Sequence, residues 1–248
     1  MKIIISPAKK MITNTDVFPV EKLPAFLEDT RQLMREIRKL SYQKAKELWK
    51  CNEKLAVLNY DRFAQMDLER ALTPAILAYE GLQYQHIAPE VFTEEALSYI
   101  RDHLRILSGF YGILSPFDGV TAYRLEMQAK LAVNGHPDLY GFWGSRLYEE
   151  LTKEDHVILN LASKEYSKCI EKYVTDKDTF ITVGFGEWID GKVKQKGTFA
   201  KMARGEMVRF LAENQIQDVE LLKEFQALGV SYKEELSNDT TYIFIKEK

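Results

Sequence analysis

Cysteine is nearly absent from this chain: two residues in 248, Cys51 and Cys169, with no CxxC and no Cys/His cluster beside either. That removes a thiolate metal centre and a disulfide-stapled fold from consideration. One long-range bridge or two reduced thiols remain, and reduced thiols fit a cytoplasmic protein. Histidine is as sparse. His86, His103, His136 and His156 follow no ligand spacing such as HExxH, so no metal site is expected. There is no GxSxG elbow for a hydrolase triad and no dinucleotide or Walker loop, so no cofactor is expected either. No apolar run approaches the ~20 residues of a membrane span. Met1–Ile5 is too short for a signal-peptide core and leads straight into Ser6-Pro7. Internal repeats, low-complexity tracts and Pro/Ser-rich linkers are missing as well.

What the chain does have is core-forming material: 46% hydrophobic residues, with 13 Phe and 13 Tyr. The pattern reads as one mixed α/β domain over 1–248, with a mixed sheet and helical insertions. Lys2–Ile5 reads as a buried strand with a loop at its end. Helical spacing runs from Leu23 to about Leu40, with Pro24 in the first turn, then from Ser41, and again from Glu53 after a break at Cys51-Asn52. Thr93 caps a helix expected to reach Leu107, and Phe110–Pro116 follows as an apolar loop or short turn. His156–Leu161 reads as a strand, with Ser163 capping the helix after it. Thr179–Ile189 and Lys192–Lys196 form a hairpin around Asp190-Gly191. Thr198 is expected to cap a basic helix. A short helix over Val219–Leu228 precedes a last hairpin, Val230–Glu235 with Thr241–Lys246.

The charge is uneven. The whole chain carries −3, yet residues 192–209 place Lys192, Lys194, Lys196, Lys201, Arg204 and Arg209 against Glu206 alone. Residues 31–54 form a second basic island, so the rest is strongly acidic. Such patches attract phosphate, although a solvated helix face is the plain alternative. On a wheel of the basic helix, Phe199, Met202, Ala203, Met207 and Phe210 face the core. Lys201, Gly205 and Arg209 lie opposite, with Arg204 beside Lys201. Gly205 permits close approach of either another protein segment or a ligand. Glu206 falls in the apolar arc and requires a partner, a nearby base at the rim.

Other polar groups sit at junctions. Ser6-Pro7-Ala8-Lys9 follows the first strand, where α/β proteins tend to hold ligands. Asn160–Tyr166 is a strand-to-helix junction whose amides could hold an anion. Arg124 and Glu126 form an ion pair or line a cleft. Lys44–Leu55 has a helix-break-helix outline like a helix-hairpin-helix module, candidate span 41–60, but its break, Lys50-Cys51-Asn52, has no glycine.

Several uncommon motifs occur in order: ISPAK (Ile5–Lys9), Lys54-Leu55-Ala56 with Leu58-Asn59, LSGFYGILSPFD and YRLEM within Leu107–Met127, NLASKEY (Asn160–Tyr166) and AKMARGEMVRF (Ala200–Phe210). With them the chain resembles the YaaA-like peroxide stress protein family from end to end. The resemblance implies a cytoplasmic factor of the oxidative stress response that helps keep free iron low. It also implies an α/β fold of unusual topology, a helix-hairpin-helix element and a positively charged cleft that binds DNA. No catalytic chemistry comes with it. The leading expectation is therefore DNA binding with little sequence readout, with Lys54, Lys196, Lys201, Arg204 and Arg209 supplying charge. The alternative is an enzyme acting on a nucleotide, nucleobase or damaged DNA, its pocket lined by Ser6, Lys9, Arg124, Glu126, Ser163, Glu165 and Tyr166. Its sign would be convergence of those side chains in one concave site.

Overall fold

The opening apolar run becomes the middle of the sheet. In the computed structural model, which describes residues 1–14 and 17–247, Lys2–Ile5 is strand β1 and every residue of it is buried. A run apolar on both faces suits a strand covered on both sides. β1 pairs in parallel with β2 (Leu104–Ser108) on one side and β4 (Val157–Asn160) on the other, while β3 (Gly112–Leu114) returns antiparallel to β2 at the edge. Beyond β4 lie β5 (Thr179–Ile189) and then β8 (Thr241–Lys246), each parallel to its neighbour. β6 (Lys192–Lys194) pairs antiparallel with the end of β5, and β7 (Val230–Tyr232) with β8. The order is β7-β8-β5-β4-β1-β2-β3. The α/β class, the mixed sheet and the single domain expected from the pattern are all present.

This order has a consequence for function. The chain leaves β1 for β2 on one side, then crosses back to β4 and continues outward. Connections therefore reverse direction between β1 and β4. Open α/β sheets bind ligands at such a switch point, outside the carboxyl ends of the two strands. Here Ser6 follows one of those ends and Ser163 lies three residues past the other.

The α-helices longer than one turn are α1 (Leu27–Arg38), α2 (Tyr42–Trp49), α3 (Glu53–Gln65), α4 (Leu82–Ile87), α5 (Glu94–His103), α6 (Leu139–Trp143), α7 (Arg146–Leu151), α8 (Lys164–Glu171) and α9 (Gly197–Glu213); Ala75–Ala78 adds a single turn. No helix among the described residues is long and apolar enough to cross a membrane. Ser41 and Thr93 cap α2 and α5 as their sequence positions predict. Asp190 and Gly191 both take positive φ, 54° and 74°, in the expected hairpin turn.

Several boundaries differ from expectation. The helix from Thr93 ends at His103, and Leu104–Ser108 is strand β2. A short apolar run reads equally well as helix or strand, and burial between β1 and β3 decides for strand. The apolar segment Phe110–Pro116 contains β3, so it closes a hairpin rather than a free loop. The first helix begins at Leu27; Pro24 precedes it in a turn whose carbonyl accepts from the Leu27 N–H at 3.2 Å. Thr198 does not cap the basic helix, which starts at Gly197 without a side-chain cap. Val219–Leu228 forms short 3-10 turns. Between α2 and α3 it is Lys50, not Asn52, that takes the left-handed conformation (φ 44°, ψ 52°); Asn52 is extended and its side chain accepts from Leu55 N–H at 3.0 Å.

Candidate functional site

The β1–β4 junction is fixed by short polar contacts. The Ser163 N–H donates to Ser6 Oγ at 2.8 Å, and the two hydroxyls lie 3.1 Å apart. Leu161 N–H donates to the Ile4 carbonyl, and the Asn160 side chain accepts from Ala162 N–H at 2.9 Å, which bends the chain into α8. Ser163 occupies the cap position of α8, yet its hydroxyl makes no capping bond to that helix. It is turned toward Ser6 instead.

Over this junction opens a cavity of about 380 Å³. Its walls come from three further segments. The loop after β1 contributes Lys9 and Lys10. Residues Gly81–Tyr84 contribute the start of α4. Lys201 and Arg204 reach in from α9. Glu165 and Tyr166 of α8 complete the lining, with Tyr84 and Tyr166 both buried. Tyr84 donates its hydroxyl to the Ser6 carbonyl at 2.9 Å, so α4 is tied to the loop that carries the serine.

The close approach of α4 and α9 sets this geometry. Gly205 is buried, and a Cβ placed there would collide with the Gln83 carbonyl oxygen and lie 2.7 Å from His86 Cβ. Of the two readings left open for Gly205, the structure takes protein packing: the missing side chain admits α4, not a ligand. One residue further on, Glu206 meets His86, Nδ1 to Oε1 at 2.7 Å, so the carboxylate in the apolar arc has its partner at the rim. The wheel needs correction too. Gly205 and Val208 are buried while Phe199, Met202 and Phe210 are only half-buried, because α9 is covered by α4 on the side expected to face solvent.

The charges in the cavity are unequal in their pairing. Lys10 pairs with Glu80 at 2.7 Å and Lys9 with Glu126 at 2.9 Å. Lys201 and Arg204, by contrast, make no hydrogen bond or ion pair among the described residues. Arg204 Nε is sealed from water without an acceptor, and burial pulls the guanidinium below its ordinary pKa. Gln83 Nε2, in the same lining, is a second buried donor without an acceptor. Burial, opposed by the Gln128 amide and seconded by the Glu126 charge, pushes the Glu165 carboxyl above the usual range.

The predicted residues thus sort clearly. Ser6, Lys9, Ser163, Glu165, Tyr166, Lys201 and Arg204 share the cavity. Glu126 adjoins it through Lys9, and Arg124 through its 3.1 Å bond to Glu126. Arg124 and Glu126 also line a void of about 30 Å³ with Trp49 and Lys50, which brings the turn of the first basic island beside the carboxylate that pairs with Lys9. The remaining three lie elsewhere. Lys54 stands exposed on α3 beside exposed Leu55, Val57 and Leu58. Lys196 is paired to Glu187 and Arg209 to Glu213, each at 2.8 Å. Sequence reasoning missed Gln83 and Tyr84, and named Lys50 only as part of the break between two helices. The one local signal in the segment of Gln83 and Tyr84 is Gly81, two residues before Gln83.

Among the described residues no three His, Cys, Asp or Glu side chains gather to hold a metal ion. The arrangement is a cationic, hydroxyl-bearing hollow at a sheet switch point. Comparison with known proteins agrees with the motifs that compose it. Residues 1–236 match the family profile described as peroxide stress protein YaaA. A UPF0246 protein of Lachnoclostridium phytofermentans is 56% identical over 246 residues, covering 99% of this chain and 96% of the relative. UPF0246 proteins of Pediococcus pentosaceus, 51% identical over 248 residues, and Lactiplantibacillus plantarum, 53% over 245, align along 99% of their own lengths and 100% and 99% of this chain. Profile and relatives cover the strand ends, the cavity and α9 alike: the chain belongs to the peroxide stress protein YaaA family.

Proposed function

We propose that this member of a peroxide stress family acts by binding DNA through the phosphate backbone along the α9 side of the cavity. The observation that carries this reading is the pair Lys201 and Arg204, two cations without protein partners at the rim and wall of one hollow. An unpaired guanidinium buried this far requires an anion to offset its desolvation. Lys50, at the edge of the same region, and exposed Lys54 extend the positive surface toward α2 and α3. That helix pair, joined by three residues, supplies the outline of a helix-hairpin-helix contact, with the left-handed turn at Lys50 in place of a glycine. Lys196 and Arg209 contribute less than their charge implies, since each is already paired. In the cell the protein would work in the cytoplasm, shielding DNA and helping to lower free iron under peroxide. Chelatable iron measured in cells with and without the gene after peroxide challenge addresses that last step.

The direct test is fluorescence anisotropy with a labelled duplex. Two to four neutralised phosphates predict an affinity loss of roughly ten- to hundredfold between 50 and 200 mM salt. Lys201→Ala and Arg204→Ala should each weaken binding severalfold and flatten the salt dependence. Absence of binding at low salt, or indifference to both substitutions, overturns the reading. A second reading, an enzyme acting on a nucleotide or damaged base, is favoured by the convergence of Ser6, Lys9, Ser163, Glu165 and Tyr166 in one cavity. Product formation from a nucleotide or lesion-bearing oligonucleotide, lost in Glu165→Gln, would support it.

A further inference from the structure

We propose that the cavity takes the terminal phosphate of a nucleotide, a phosphomonoester, in preference to the diester phosphates of an intact strand. The inference rests on the reading that the site binds DNA phosphate, and makes its ligand specific. Three observations carry it.

The first is the set of unsatisfied donors. Arg204 Nε and Gln83 Nε2 are both buried and lack acceptors, and they belong to different helices that line one hollow. Native proteins rarely leave such groups unpaired, because each costs the desolvation of a donor with no return. Two orphans beside one cavity point to an absent acceptor with several oxygens.

The second is charge. Two cations, Lys201 and Arg204, are left over after Lys9 and Lys10 find Glu126 and Glu80, opposed among the described residues only by Glu165, whose burial favours its neutral form. A phosphomonoester carries close to two negative charges at neutral pH and three terminal oxygens, whereas a diester offers one charge and two. A monoester therefore matches both the leftover charge and the number of donors. At the floor the Ser6 hydroxyl donates to Ser163 Oγ at 3.1 Å, which leaves the Ser163 O–H as an additional donor of the kind phosphate recruits.

The third is shape. The hollow is walled in part by Tyr84 and Tyr166, Pro7 and Leu82, and holds about 380 Å³. A duplex cannot descend into it; its backbone phosphates reach only the rim. A strand end, an extruded nucleotide or a free nucleotide can enter.

The test uses the full-length protein and five probes: a hairpin duplex with a 5′-phosphate, the same hairpin with a 5′-hydroxyl, a closed circular duplex, thymidine 5′-monophosphate and thymidine. We expect the phosphorylated hairpin to bind at least tenfold tighter than the hydroxyl-ended one, and the monophosphate tighter than thymidine. Inorganic phosphate should compete for both. Gln83→Leu and Lys201→Gln should each reduce the preference at least fivefold, with thermal melts establishing that the variants are folded. A phosphorylated hairpin that outcompetes the monophosphate assigns the site to strand ends; the reverse assigns it to a free nucleotide. Equal affinity for phosphorylated and hydroxyl-ended probes overturns the inference even if the closed circle binds. Failure of the closed circle to bind, with the end preference intact, overturns the backbone reading and leaves this one standing.

Discussion

Gly205 and Arg204 are neighbours on one helix with opposed tasks: the first brings two segments together, the second keeps a charge available between them. Alanine is the better helix former by about 1 kcal/mol. At position 205, however, its methyl group meets the backbone oxygen of Gln83, which cannot move without shifting α4. Gly205→Ala should therefore lower stability by about 1–3 kcal/mol in urea unfolding, and widen the cavity enough to weaken anion binding. A gain in stability would show that the helices are not in close contact. Far from that site, Asp118 is 2% exposed and its carboxyl is pushed up to about 6 by burial, against the opposing pull of the Ser115 amide, Lys22 and Arg105. In the unfolded chain it titrates near 4. The stability that its neutral form contributes is complete below pH 4 and lost as pH rises through 6. Asp118→Asn is accordingly expected to stabilise the fold by about 2–3 kcal/mol at pH 8 and to change little at pH 4, as read from melting temperatures at the two pH values. Neither Asp118 nor Gln83 announced itself in the sequence. An orphan donor or a desolvated carboxyl is created by what packs around it. Ser6 and Ser163 were legible because each follows a strand, and strand ends are where such sheets bind ligands.

At the level of elements, caps and turns could be read and some boundaries could not. Ser41, Thr93 and Asp190-Gly191 act locally, so their chemistry suffices to place them. The α5–β2 boundary is tertiary: Leu104, Ile106 and Leu107 are apolar in any conformation, and pairing with β1 makes the segment a strand. The α2–α3 turn shows the cost of a missing glycine. Lys50 holds φ 44° where a Cβ is unfavourable. Lys50→Gly should raise stability by up to about 1 kcal/mol, measured by chemical denaturation. The same substitution removes a charge from the proposed DNA surface, so binding should weaken as stability rises. Parallel changes in the two quantities would contradict that division.

Across the whole molecule, the turn of the first basic island shares a void with Arg124 and Glu126, and Glu126 is in turn paired to Lys9 of the cavity that Lys201 and Arg204 line. Glu165 gives that region a pH response. Burial holds its carboxyl above the ordinary range, so lowering pH neutralises it earlier than an exposed glutamate and removes repulsion toward a bound anion. Binding of an anionic probe should tighten as pH falls through that transition, and Glu165→Gln should abolish the change, as followed by isothermal calorimetry.

The placement of β1 also governs when the protein becomes itself. That strand, made well before its neighbours, is paired with residues 104–106 on one flank and 158–160 on the other. During synthesis it must wait, uncovered, until Asn160 has left the ribosome, and contacts of such long range close slowly. Ser6 and Ser163 can touch only after that wait is over. A truncated or nicked copy would therefore offer no partial version of the hollow; in a cell under oxidative attack, only finished molecules could answer.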